Sequence, residues 1–366
     1  MRTHQTGPET PIRTTDHAVM PPGAGTFRDP TGSLFDVDGR ILRGVRLADA
    51  AEFGAVVQSQ VVRSLVERGA LVKTRRLPRD QVPNSLQALD FEWYEHDHVG
   101  FVSVPAEWSA AMLAHAARHT IDVCLELLRH GYILKDATPA NILFDGAKPV
   151  LVDVPSIERL DSSSGLWLAR HQFETTFLLP LLASIELGYP LHASLADPAR
   201  GLSHEQLARL YGLRRWCSLA RIRHVALAAA LGHADLPRTT GAAGRQRAGV
   251  TSPQGREKAR FVLERSLSGL GAAVDDLART LLRRNSHWSA YAATRAHYAD
   301  SDLVLKRAFV ERVLDAVRPN WVLDVGANTG EFCEMAAARA STVGIDLDEV
   351  SVSAIHSRAT ALQLPV

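Results

Sequence analysis

The stretch from Trp321 to Glu349 constrains this chain more than any other. Val322 to Val325 is a short apolar, β-branched run of the kind that forms a buried strand. Gly326-Ala-Asn-Thr-Gly330 follows as a small-residue turn, Glu331 to Arg339 reads as a helix, and Thr342 to Ile345 as the next strand. That order is the start of a β-α-β unit. Glycine allows unusual backbone angles and close approach of a ligand. The turn opens a helix whose first amides favour electron-rich groups. Asp346 stands 20 residues after Gly326, at the tip of the second strand. A carboxylate there can accept hydrogen bonds from ribose hydroxyls. The unit therefore predicts a site for a nucleoside-containing cofactor.

A dinucleotide site would favour Gly-x-Gly-x-x-Gly, and this turn does not match it. Asp324, just before the turn, would repel a pyrophosphate but could pair with the ammonium of a methionine moiety. Asp324-Val-Gly-Ala-Asn-Thr-Gly330 resembles the first motif of class I S-adenosylmethionine-dependent methyltransferases, and Gly344-Ile-Asp-Leu-Asp348 resembles their second. The expected cofactor-binding set is Asp324 for the ammonium, Gly326, Asn328 and Gly330 for the turn, and Asp346 for the ribose. An ordinary turn of some other α/β protein is the alternative.

Bulk properties exclude several classes. Net charge is +1, so there is no electrostatic case for nucleic acid or a membrane surface. Cys124, Cys217 and Cys333 are widely spaced, which argues against a disulfide framework or a cysteine zinc site and suits a reducing cytoplasm. The N-terminus has no signal-peptide core and no apolar run is long enough to span a bilayer, so the expected location is cytoplasmic. Few aromatic residues among many Ala, Arg and Leu are compatible with a bacterial source.

A second stretch carries chemistry. Tyr132-Ile-Leu-Lys-Asp136-Ala-Thr-Pro-Ala-Asn141-Ile-Leu-Phe-Asp-Gly146 precedes Pro149-Val-Leu-Val-Asp153. Ile142 to Phe144 and Val150 to Val152 read as strands around an Asp145-Gly146 turn, which returns Asp153 beside Asn141. Kinase-fold phosphotransferases use such a layout, with an Asp as base and an Asn and a second Asp on magnesium. On that reading Asp136 is the catalytic base, Asn141 and Asp153 hold magnesium, and ATP is the donor. The match is incomplete. Leu134 and Lys135 replace the loop His and Arg, and Val154-Pro155 follow Asp153 in place of Phe-Gly. No Gly-rich loop lies upstream, only a hairpin with Gly32 and Gly39, and Arg43 and Lys73 are the candidates for the nucleotide-pairing cation. Lys135 could instead neutralise the carboxylates as a structural cluster, and Asp136 and Asn141 could simply cap turns.

Along the chain, residues 1–27 are Pro-rich and aperiodic, a disordered tail. Residues 28–231 read as a kinase-like α+β domain, 232–255 as a linker, 256–300 as a helical connector, and 301–366 as an incomplete Rossmann-like domain. Within these, Ala48 to Arg68 reads as one amphipathic helix, with Leu71 to Leu77 and Phe91 to Val104 as strand pieces. Ser109 caps a long helix stopped by Gly131, and Pro180 kinks the helix from Leu166 to Leu187. Ser203-x-x-Gln206 is a capping box, and Arg214 to Leu231 is a further helix. A helix or helix pair over Arg256 to Leu282 is broken near Gly269-Leu-Gly271, Trp288 and Tyr291 lie in a connecting stretch, and Asp300 or Ser301 begins a helix ended by Pro319. His96-x-His98 reads as a solvated polar turn, a metal site being the minor alternative.

The order of these pieces resembles a family of bacterial bidomain proteins described as S-adenosylmethionine-dependent methyltransferases, which includes a host-specific nodulation protein of rhizobia. Arg28-Asp-Pro-Thr-Gly-Ser-Leu-Phe, Val104-Pro-Ala-Glu-Trp-Ser, Leu134-Lys-Asp-Ala-Thr-Pro-Ala-Asn, Tyr298 to Lys306 and Leu323 to Asp348 carry the likeness. It implies methyl transfer to an unidentified acceptor, expected to be a small molecule rather than a macromolecule. A class I sheet has more strands than this chain supplies, so the chain is expected to be a truncated, inactive form. Two other expectations stay open: a magnesium- and ATP-dependent kinase-like phosphotransferase, or a non-catalytic kinase-like domain that only binds.

Overall fold

The computed structural model describes residues 31–161, 165–216, 252–284, 286 and 300–366. The expected tail, all but the first three residues of the helix expected over Arg214 to Leu231, nearly all of the linker, and Trp288 and Tyr291 lie outside the described residues. The described residues form two compact units, 31–57 with 73–98 and the remainder, so the expected domain 28–231 contributes to both.

The first unit is an antiparallel sheet with one helix. Strand β1 (Gly32–Val37) turns through Asp38 and Gly39, both at positive φ, into β2 (Arg40–Arg46). Such a turn suits the twist of a two-residue hairpin. Helix α1 (Leu47–Val57) follows, and β3 (Thr74–Arg76) and β4 (Phe91–His96) complete the order β1-β2-β4-β3. The apolar alternates Phe35, Val37, Leu42 and Trp93 meet Leu77, Val82 and Leu86 in one core. A Cβ on Gly44 would stand 2.6 Å from the Phe91 ring, so that glycine permits the packing of the neighbouring strand. His96 ends β4 and is buried: Arg43 Nε donates to its Nε2 at 3.2 Å, and Thr74 Oγ1 lies 2.8 Å from its Nδ1. The expectation of a solvated turn at His96 fails because strand pairing carries this ring inward.

The helix expected over Ala48 to Arg68 is two helices. Ser59 caps α2 (Gln60–Glu67), its Oγ accepting from Val62 N. The apolar period runs across the break, which is why the sequence conceals it.

The second unit is built around α3 (Ala110–Arg129), capped by Ser109, whose Oγ accepts from Met112 N. Beyond it come β5 (Tyr132–Leu134), β6 (Ile142–Asp145), β7 (Lys148–Leu151) and β8 (Ile157–Arg159), pairing as β5-β8 and β6-β7. Helix α4 (Arg170–Phe173) continues through a π-helical turn at Glu174–Leu178 into α5 (Leu179–Leu187). The wide turn sits immediately before Pro180, whose ring and missing N–H disfavour the ordinary ladder. Short α6 (Leu191–Ser194) and α7 (His204–Tyr211) follow, α7 opening on the Ser203–Gln206 capping box.

Helix α8 (Pro253–Leu281) is continuous, so the expected break at Gly269-Leu-Gly271 is absent. A Cβ at Gly271 would meet Arg118 at 2.4 Å and Ile121 at 3.3 Å, so this glycine serves close packing on α3. The stretch read as a connector thus lies along α3, tied by Arg118 to Asp275 at 3.2 Å.

Helix α9 (Asp300–Val317) leads to β9 (Trp321–Val325), α10 (Glu331–Ala337), β10 (Ser341–Ile345) and α11 (Glu349–Leu362). The strands are parallel, with Asp324 opposite Gly344. Among the described residues this sheet has two strands, and a complete Rossmann fold is not evident. One face packs on Ala327, Cys333 and Ile355.

Candidate functional site

The expected cofactor residues come together at the carboxyl ends of β9 and β10. Gly326 N and Ala327 N both donate to Ile345 O, at 2.9 and 3.1 Å, which curls the chain over the tip of β10. Gly326 has φ +74° with open space where a side chain would stand. Asn328 has φ +46°, and its Oδ1 accepts from Thr329 N at 2.7 Å. Gly330, at φ +86°, begins α10, and a Cβ there would lie 2.8 Å from Ile355 Cγ1. Gly330 is therefore called for by its backbone angle and by close packing on Ile355, whereas the exposed surface at Gly326 is open.

Asp346 ties the turn together. Its Oδ2 accepts from Asn328 N at 2.8 Å and its Oδ1 from Asp348 N at 2.9 Å. Each carboxylate oxygen keeps a second lone pair, so both could still accept from a diol. Asp324 is half-buried, and its Oδ2 accepts from Cys333 Sγ at 3.2 Å. Burial first, and then this carboxylate, push the Cys333 thiol well above its ordinary range, so it is inert as a nucleophile. Asp348 caps α11, accepting from Ser351 N and from the Ser286 and Ser351 hydroxyls. Its burial raises the pKa, but those hydrogen bonds outweigh it and hold the carboxyl below its ordinary value.

The second candidate region lies where the two small sheets end. Lys135 N donates to Ser156 O at 2.8 Å, and Ser156 Oγ to Asp153 O at 2.6 Å. Val152 N donates to Asn141 O at 2.9 Å. These bonds bring Asp136, Asn141 and Asp153 to adjoining turns of the backbone. Thr138 Oγ1 donates to Asn141 Oδ1 at 3.4 Å, while the buried Asn141 Nδ2 has no partner among the described residues. Among the described residues, no three His, Cys, Asp or Glu side chains group as a metal set. Of the two candidate nucleotide-pairing cations, Arg43 is engaged with His96.

Sequence reasoning missed the braces of this loop. Gln172 Oε1 accepts from Ala137 N at 2.6 Å, and Trp167 Nε1 donates to Leu134 O at 2.8 Å. Thr176 Oγ1, in the π turn, donates to Gln172 O at 2.8 Å. Gln172 and Trp167 lie more than 30 residues along the chain from the groups they hold, beyond the reach of any local pattern.

Comparison with known proteins agrees with the spread of the likeness. No family model matches the chain. Nodulation protein NoeA of Rhizobium meliloti (strain 1021) is 29% identical over 342 residues, which span 92% of this chain and 68% of that protein. A solved structure of vaccinia related kinase 3 covers 70% of this chain and 86% of its own, at 14% identity and a TM-score of 0.33, too loose a fit to carry an argument. Among the described residues no helix is long and apolar enough to cross a membrane. Over nearly its whole length, then, this chain is a distant likeness of a rhizobial nodulation protein.

Proposed function

We propose that residues 321–348 bind S-adenosylmethionine and that the chain belongs to a system transferring its methyl group to a small acceptor. The observation that carries this reading is the turn at Gly326, left-handed and open to a ligand, tied by Asp346 at the neighbouring strand tip. The bound sulfonium supplies an activated methyl group. The chain's own contribution is alignment: Asp346 orients the ribose, and Asp324 offers a carboxylate to the ammonium. Isothermal titration of S-adenosylmethionine into the chain tests this. Saturable binding is expected, and Asp346→Ala should weaken it by about 1.5–3 kcal/mol, the worth of a hydrogen bond to a charged group. Absence of binding, or binding indifferent to Asp346→Ala, would defeat the reading.

Asn141 favours a second reading. A buried amide with an unmatched donor is uncommon and suits an oxygen-rich ligand such as a phosphate. Exchanging the amide's O and N would direct the oxygen there instead, as magnesium requires. In phosphotransfer, Asp136 would take the proton of the attacking hydroxyl while Asn141 and Asp153 hold the metal. A working site should raise the melting temperature with magnesium-ATP over ATP alone, and Asp153→Ala should remove that rise. No rise in the parent chain would leave these residues a structural role.

A further inference from the structure

A groove of about 900 Å³ lies between α3, α8 and α11, and none of its lining residues belongs to either candidate site. Ala111, Ala114, Val274, Ala278 and Ala354 give it a small, aliphatic floor. Its charged residues are Arg118, Arg284, Arg358 and Asp275. Arg118 is held by Asp122 and Asp275, and Arg358 by Glu334. Arg284, half-buried, has no ion pair among the described residues. The wall also carries His115 and His356, with Nδ1 of the first 3.1 Å from Nε2 of the second. Burial lowers the pKa of both rings, so the pair is neutral near pH 7 and adds no charge.

A cavity of this volume with an aliphatic floor and few polar groups has the character of a small-molecule pocket, for which about 300–1,000 Å³ is usual. Arg284 is the charged group on its wall that no ion pair among the described residues offsets, so the favoured ligand charge is negative. We propose that this groove binds a free, monomeric amphipathic anion, an alkyl chain bearing a carboxylate or phosphate. The chain lies on the alanine floor and the head group meets Arg284. A membrane surface is the rival source of the same chemistry, but the residues named for the chain line a cleft between helices, which suits a single extended molecule.

Isothermal titration into the full chain with dodecanoate, below its micellar concentration, tests the assignment. Saturable binding is expected, with no such binding of dodecyltrimethylammonium. Arg284→Glu should weaken dodecanoate about tenfold, the usual effect of losing one charge-assisted contact. Ala278→Trp, which fills the floor, should abolish it, and Ala354→Trp serves if that variant fails to fold by circular dichroism. Absence of saturable binding, equal binding of the cation, survival of binding in a folded floor-filling variant, or binding confined to anionic phospholipid vesicles would overturn the proposal. The result is independent of S-adenosylmethionine binding, which uses other residues.

Discussion

The two sheets cover their large apolar side chains to opposite degrees. In the antiparallel sheet, Leu42 is 0% exposed and Trp93 5%, enclosed by Leu77, Val82 and Leu86. In the parallel pair, Leu323 is 61% and Val325 71% exposed, although they recur at a strict period of two along β9. Ile345, opposite Val325, shares that uncovered face. The other face of β9 and β10 is packed so closely that a Cβ on Gly344 would stand 2.7 Å from Cys333 Sγ. Period-two alternation therefore marks a face suited to burial without stating what covers it. The glycine turn rests on the strands of a half-covered sheet, and its conformation is set by local hydrogen bonds: Ile345 O, Asp346 and Asn328 suffice to define it.

Mutation of matched leucines sharpens the contrast. Leu42→Ala should destabilise the chain by about 2–5 kcal/mol, as cavity formation in a closed core does. Leu323→Ala should change stability by no more than about 0.5 kcal/mol, as at an exposed site. Urea titration of each variant measures both. A large loss at Leu323 would mean that its face is covered in solution.

A smaller effect should come from the joint between α3 and α11. His115 and His356 are neutral in the folded chain because burial lowers both pKa values, that of His356 to about 3. Asp122 opposes the shift at His115, and His119, also buried, is lowered to about 4. In the unfolded chain these rings titrate near 6.5. Their neutral burial is thus fully compatible with folding above pH 6.5, and stability is lost progressively as the pH falls toward 3. Each proton taken up on unfolding gives a slope of about 1.4 kcal/mol per pH unit. His356→Asn should flatten the slope between pH 6 and 4, roughly the interval between ordinary and depressed imidazole values, leaving a remainder from His96, His115 and His119. An unchanged slope would place the titration elsewhere.

What was legible in the sequence was local. The Ser109 cap, the Ser203–Gln206 box, the turn at Asp38-Gly39 and the strand-turn-helix-strand of residues 321–345 each depend on a few adjacent residues, and each is present. The hairpin of β6 and β7 also follows from its own sequence. What was illegible depended on distant partners. Gly271 reads as a helix breaker until Arg118 and Ile121 are seen to need its missing side chain. His96 reads as a surface residue until Arg43 and Thr74 enclose it. Gln172 carries no signal at all, because its role is to accept from Ala137 N, 35 residues earlier. At the glycine turn the residues were legible, but not that Asp346 would hold the turn itself through Asn328 N.

The central claim is that Gly326 is a glycine for the sake of a ligand, while Gly330 is one for the sake of packing. Gly326→Val tests it most directly, because a Cβ there would meet no other group among the described residues. The account predicts a stability loss of only about 1–2 kcal/mol, the strain of the left-handed backbone, together with loss of measurable S-adenosylmethionine binding by isothermal titration. Wild-type affinity in the folded Gly326→Val chain would contradict it.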